Sequence, residues 1–176
     1  MRTMITPLVL AILLACCLIV HQARAAADAT QPGKPRLQWS LVAAADEKGD
    51  VIEVDDPGAP GGKLRVLKEA FLDERGIESA EVTKDQGRTA VSLKMTKEGA
   101  ERVSKVTGDN VNRRVAVVFD GRVVFAPVIR SKIGDAAMIT GGPDGLSDKD
   151  AKAIVGAVRA ARDEETKQKE VAPSAK

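Results

Sequence analysis

The residue types best suited to covalent or metal chemistry are gathered at one end of this 176-residue chain. Cys16, Cys17 and His21 are its only cysteines and its only histidine. They fall in a stretch with the character of a secretory leader. Arg2 supplies a positive start, an apolar run of 13 residues covers positions 8–20, and Ala23-Arg24-Ala25 is a small-x-small cleavage site. A permanent membrane helix needs about 20 apolar residues, so the run is short for an anchor. Residues 1–25 are therefore read as a signal peptide. The alternative is a lipid anchor through Cys16, because Leu13-Leu14-Ala15-Cys16 resembles a lipobox; against it, the apolar run continues through Cys17-Leu18-Ile19-Val20. Cleavage after Ala25 leaves no residues for a Ser-His-Asp triad, a thiol nucleophile or the usual zinc sites. Tyr is absent as well. A hydrolase built on carboxylates is the remaining enzymatic alternative, but no pair of acids stands out from an ordinary charged surface. No catalytic residue, cofactor or metal ligand is assigned, and the expectation is a protein that is not an enzyme.

Four local patterns merit weighing. Gly58-Ala59-Pro60-Gly61-Gly62-Lys63-Leu64 has the wrong glycine spacing for a phosphate loop, and Leu64 stands where a magnesium-holding hydroxyl would be; an inter-strand turn explains it. Asp144, Ser147, Asp148 and Asp150 do not follow the standard calcium-loop spacing, and helix capping accounts for them. Arg113 and Arg114 either grip an acidic partner or form a strand-entry pair with one solvated head on each face; both readings stand. The aromatic residues are Trp39, Phe71, Phe119 and Phe125, too few for a nucleic-acid stacking platform. Trp39 and Phe119 have core spacing. Phe125 is read as core, with an exposed peptide contact as the alternative. Arg113, Arg114, Phe125 and Pro127 make up the candidate partner-binding set.

The elements that must position these residues can be read from pattern. Leu37, Trp39 and Leu41 share one face of an opening strand at 37–42. A second strand is expected at 51–54, a Pro- and Gly-rich loop at 56–63, and a strand at 64–67; 68–75 is ambiguous, and Gly76 breaks the chain. Another strand at 77–84 turns at Asp85-Gln86-Gly87 into an alternating strand at 89–95. Thr96 is suited to cap a helix whose buried side carries Ala100, Val103 and Val106, with a left-handed stop at Gly108. Val115-Ala116-Val117-Val118-Phe119 meets Asp120-Gly121, a strong hairpin signal, and Arg122-Val123-Val124-Phe125-Ala126 returns. Pro127 implies an edge strand or a bulge there, and a last short strand follows before Gly142. A closing helix starts at Ser147, with Ala151, Ile154, Val155 and Val158 as its buried stripe. In its interior Gly156 either weakens the helix or marks a close contact. The result is an α+β fold, mostly antiparallel sheet, with two main helices packed on one face.

In this order the residues resemble the head subdomain of the first periplasmic domain of the SecD/SecDF protein-export membrane proteins. Thr107 with Asn110-Val111 matches the family's helix exit. Arg113-Arg114 and the apolar strand into Asp120-Gly121 match its basic pair and hairpin. Val123 and Ala126-Pro127-Val128-Ile129 match its returning strand, and Ile133 with Ile139-Thr140-Gly141 the segment after it. The similarity spans roughly 37–162. Asn112 stands where the family usually has Gly, and Phe125 where it usually has Ser. The loop after Ile133 is shortened to Gly134-Asp135-Ala136-Ala137-Met138, and Gly142-Pro143-Asp144-Gly145-Leu146 is remodelled. Ala161-Arg162-Asp163-Glu164-Glu165 replaces the family's exit towards its membrane helices.

The expected organisation is a signal peptide at 1–25, a linker at 26–36, a SecDF head-like domain at 37–162 and a disordered tail at 163–176. With Arg2 and Arg24 removed, the 27 basic residues fall to 25 and equal the 25 acidic ones. Such a balance makes no electrostatic case for nucleic acid or an anionic membrane, and no integral membrane segment is expected after cleavage. The protein is expected to be exported, periplasmic or otherwise extracytoplasmic. The resemblance implies a non-enzymatic binding module, an accessory in Sec-dependent export that contacts exported polypeptide or the Sec translocase. The alternative is a structural adaptor for a folded cell-envelope protein, in keeping with the altered loops.

Overall fold

The computed structural model describes residues 36–59 and 61–171. The calls on the signal peptide, Cys16, His21, positions 26–35 and residues 172–176 lie outside the described residues. The elements in chain order are β1 (Leu37–Val42), β2 (Val51–Asp55), β3 (Lys63–Asp73), a 3-10 turn (Glu74–Gly76), β4 (Ile77–Asp85), β5 (Arg88–Met95), α1 (Lys97–Asp109), β6 (Val115–Phe119), β7 (Arg122–Phe125), β8 (Ala136–Ile139) and α2 (Asp148–Val171). The α+β class read from the sequence is the observed one, and every strand pairing is antiparallel.

The strands divide into two sheets, ordered β2-β3-β1-β6-β7 and β4-β5-β8. The five-stranded sheet curls until its edge strands β2 and β7 approach each other. Inside the curl lies a small apolar cluster of Leu64, Val66, Ala116, Val118 and Val123. The opposite face carries Leu37, Trp39, Val115, Val117 and Phe119 into the main core, where Ile77, Val91, Leu93, Met95, Val103, Ile154 and Val158 meet them. Strand alternation thus sends successive β6 residues into different cores, and all five are buried.

The turns explain the hairpins. Asp120 and Gly121 both have left-handed φ (47° and 80°), as do Gln86 and Gly87 (48° and 81°). That is the backbone a two-residue turn needs to match strand twist. Pro127 follows the edge strand β7, and β7 also bulges: Val117 pairs with Phe125 but Val118 with Val123.

Four boundaries differ from expectation. First, β3 runs unbroken through the ambiguous segment to Asp73, because its partner β1 is paired as far as Gln38 with Asp73. Second, Gly108 lies inside α1 and does not stop it. The Asn110 side chain donates to the Val106 carbonyl at 2.8 Å, and the left-handed residue is Asn112 (φ 71°); Asn adopts that region more readily than most residues. The buried stripe of α1 is Gly99, Val103 and Thr107, with Ala100 and Val106 half-buried beside it. Third, Ala136 to Met138 form part of strand β8, because they pair with Ser92, Leu93 and Lys94 of β5. Fourth, α2 continues past Arg162 to Val171, supported by Glu165 pairing with Arg162 at 2.7 Å and Lys169 at 2.9 Å. Such i,i+3 and i,i+4 pairs favour helix where no core contact is needed.

Both helix caps predicted from sequence form. Thr96 Oγ1 accepts from the Gly99 N–H at 3.0 Å, and Ser147 Oγ accepts from the Asp150 N–H at 3.0 Å. Around Gly156 an added Cβ would meet nothing within 4 Å, so no packing contact requires glycine there. Gly156→Ala is expected to stabilise the domain by about 0.5–1 kcal/mol, read as a higher urea midpoint at unchanged slope.

Candidate functional site

The residues that fail to close over the main core define a narrow apolar cleft of about 120 Å³ between the two sheets. Trp39, Val115 and Val117 come from β1 and β6, Phe125 from the end of β7, Pro127 from the segment after it, and Ile133 with Ala137, Met138 and Ile139 from the β8 side. Small-molecule sites start at roughly 300 Å³, so this cleft has the scale of an apolar side chain. Trp39 is 3% exposed, packs edge-on against Phe71 with ring centroids 6.4 Å apart, and its Nε1 has no hydrogen-bond partner among the described residues.

The rim of the cleft is an open sheet edge. β8 is terminal in its sheet. The Met95 N–H donates to the Asp135 carbonyl at 2.7 Å, and Lys94 stands opposite Ala136. Antiparallel pairs alternate between bonded and non-bonded positions. Asp135, Ala137 and Ile139 therefore turn their backbone groups towards β5, while those of Ala136 and Met138 point away from it. Met138 is 46% exposed. Among the described residues no strand pairs those main-chain donors and acceptors, and the site thus combines them with an adjoining apolar slot, the two ingredients of strand addition.

The sequence-predicted set divides between two places. Phe125 and Pro127 line the cleft, with Phe125 half-buried. Arg113 and Arg114 are engaged inside the domain. Arg113 donates to Glu47 at 2.6 Å, to the Val42 carbonyl and to Asn110. Arg114 forms a two-pronged pair with Asp56 at 2.9 and 3.2 Å and donates to the Ala126 carbonyl. Two guanidiniums thereby anchor the loop after β1 and the turn after β2. Trp39, Val115, Val117, Ile133 and the β8 residues were not in the predicted set. Their apolar character is legible in the sequence, but the gap between two sheets is not.

A larger cleft of about 430 Å³ opens where β2 meets β7, lined by Glu53, Asp55, Lys63, Arg122 and neighbours. Its cations are already matched, Lys63 to Asp55 and Arg122 to Asp150. A new anion there would have to displace existing pairs, so we take the smaller apolar cleft as the site. Two of the acids near the start of α2, Asp148 and Asp150, have partners within the domain. Asp148 accepts from Thr89 Oγ1 at 2.7 Å, and Asp150 accepts from Ser147 and Arg122.

These contacts set the response to acid. Hydrogen bonding to Arg114 holds the Asp56 carboxyl below its ordinary range, Arg36 does so for Asp120, and the Thr89 hydroxyl for Asp148. Burial pushes Asp150 up, but Ser147 and Arg122 outweigh it and the net direction is down. Each group binds protons less readily folded than unfolded. Its stabilisation is complete above the ordinary carboxylate range and is lost as pH falls through the depressed folded values. The described residues contain no His or Cys to titrate near neutrality. The urea midpoint is expected to stay flat from about pH 5 to 8 and to drop below about pH 4.

A family model described as SecDF, P1 head subdomain, matches residues 50–161. The chain belongs to this family. It is 36% identical to the protein translocase subunit SecD of Aquifex aeolicus over 110 residues, covering 62% of this chain and 17% of that protein. It is 40% identical to the subunit SecDF of Thermus thermophilus over 94 residues, covering 52% and 11%. Two solved SecDF structures are similar, each with a TM-score of 0.53. One is SecDF in its super-membrane-facing form, at 29% identity over 72% of this chain and 19% of that one. The other, of a membrane component SecDF that enhances protein export, is 28% identical over 80% of this chain and 68% of that one. The chain thus spans less than a fifth of those two translocase subunits. No described helix is long and apolar enough to cross a membrane.

Proposed function

We propose that this SecDF head domain is a non-enzymatic extracytoplasmic binding module, an accessory to Sec-dependent export that holds an extended segment of exported polypeptide. The observation that carries this reading is the juxtaposition of the apolar cleft with the unpaired β8 edge. An added strand would bond main chain to main chain at Ala136 and Met138, which is indifferent to sequence. Its inward side chains would enter the slot between Trp39, Phe125 and Ile139, which selects for apolar character only. An export accessory needs such tolerance because its clients differ. Phe125 and Pro127 supply contact in this reading, and Arg113 and Arg114 keep the neighbouring loops in place. The signal peptide at 1–25 delivers the domain outside the cytoplasm, and 37–162 is the working unit.

Trp39 is the only tryptophan and lines the cleft, so it serves as an energy-transfer donor. A dansyl-labelled, permanently unfolded polypeptide added to the protein is expected to quench Trp39 with saturation, and an unlabelled apolar peptide to compete. Absence of transfer at saturating probe would overturn the reading. Capture of one stoichiometric folded envelope protein in its place would favour the adaptor alternative.

A further inference from the structure

We infer that the Trp39 Nε1–H is a hydrogen-bond donor kept for the occupant of the cleft, and that a peptide carbonyl of the bound chain accepts from it. Trp39 is 3% exposed, and its Nε1 is buried with no acceptor among the described residues. The strand register places this side chain on the cleft face. Trp39 stands opposite Val117 of β6, Val117 stands opposite Phe125 of β7, and all three line the cleft. Partners directly opposite in a sheet share a face.

A buried indole N–H usually finds a partner, and an unmet one lowers stability. The surroundings offer it none. The other lining side chains are hydrocarbon apart from Met138, which stands opposite exposed Ser92. The Pro127 carbonyl already accepts the Val115 N–H at 3.0 Å. The ring of Phe71 is at best a weak acceptor. A single water needs two to four polar partners to stay, and the apolar slot supplies this one donor. The occupant therefore has to bring the acceptor. A side chain that enters an apolar slot is itself apolar, so the acceptor comes from the peptide groups beside it. Every residue carries a carbonyl, and the bond adds affinity without adding sequence preference. That the partner is a client carbonyl rests on the proposed function; the unmet donor does not.

The test uses the whole isotope-labelled protein and proton–nitrogen NMR, where one tryptophan gives one indole resonance. In the free protein it is expected at the upfield position of an unbonded indole. It is expected to move downfield on saturation with the unfolded polypeptide, or with N-acetylleucine methylamide, which sets two carbonyls beside one apolar side chain. Biosynthetic replacement of the indole by benzothiophene keeps the bicyclic shape and removes the donor. Affinity for the polypeptide, read by dansyl polarisation, is expected to fall about 10-fold. The urea midpoint is expected to hold or rise, because the fold no longer buries an unmet group. A resonance already downfield in the free protein, one that neither probe moves, or an unchanged affinity without the donor would overturn the inference. Movement with the blocked leucine and none with the polypeptide would remove the proposed function and leave the donor site standing.

Discussion

Gly99→Ala is expected to destabilise the domain by about 2 kcal/mol, although alanine is the better helix former by about 1 kcal/mol. The reason is the approach of α1 to the 3-10 turn. A Cβ on Gly99 would lie 2.0 Å from the Gly76 carbonyl oxygen and 2.9 Å from its carbon. That oxygen already accepts the Thr96 N–H at 3.0 Å. No flexible side chain stands in the way that could swing aside, so the helix and the turn must separate. The turn has little room to retreat, because a Cβ at Gly76 would itself meet Leu72 at 2.4 Å. Overpacking costs about 1–3 kcal/mol where neighbours relax. Here the neighbour is backbone and the cap is disturbed as well, so the upper end applies and exceeds the propensity gain. Urea unfolding with an unchanged slope would measure it. An alanine variant as stable as the parent would mean that the contact between helix and turn is not as close as described.

Phe125→Asp is expected to weaken binding of the unfolded-polypeptide probe by at least ~10-fold, which is about 1.4 kcal/mol or more. Phe125 ends β7 beside Pro127 and packs partly on the main core. The substitution removes an apolar wall and brings a carboxylate to a slot with nothing to pair it, so a client would have to cover an unmatched charge. Phe125→Leu keeps the wall apolar and is expected to fall between the two. Lys63→Ala, at the polar cleft between β2 and β7, is expected to leave the affinity as it was. Equal losses at Phe125 and Lys63 would point to a nonspecific effect of the surface. Binding is to be read at a pH and temperature where each variant is folded by circular dichroism, because Phe125 also contributes to the core.

Local signals in this sequence are strong and the structure follows them. Thr96 and Ser147 cap as their types and positions require, Asp120-Gly121 turns the hairpin, and Leu37, Trp39 and Leu41 share the face that alternation assigns. Long-range arrangement was less legible. A last short strand is expected after the hairpin, but not its bounds; Ala136 and Ala137 are neutral, and pairing with Ser92 to Lys94 brings 136–138 into β8. The split into two sheets depends on which strand β5 pairs with, a choice made by tertiary packing. The candidate site divided in the same way. Phe125 and Pro127 could be chosen from chain position, and both line the cleft. The reach of Arg113 to Glu47 and of Arg114 to Asp56 crosses 66 and 58 positions of the chain, a distance over which charge complementarity alone names no partner. Trp39 reads as core in the sequence and is core in the structure, and it is also the floor of the slot; a residue can hold both positions only where two layers stop short of each other.

β6 is a shared wall. Its odd-numbered residues belong to one apolar interior and its even-numbered residues to the other, so melting either interior disturbs its neighbour. Loss of structure in a single concerted step is the expected outcome, read as coincident urea transitions by tryptophan fluorescence and circular dichroism. Under the proposed function, a disordered client pulling on the β8 rim would then work against the stability of the whole unit.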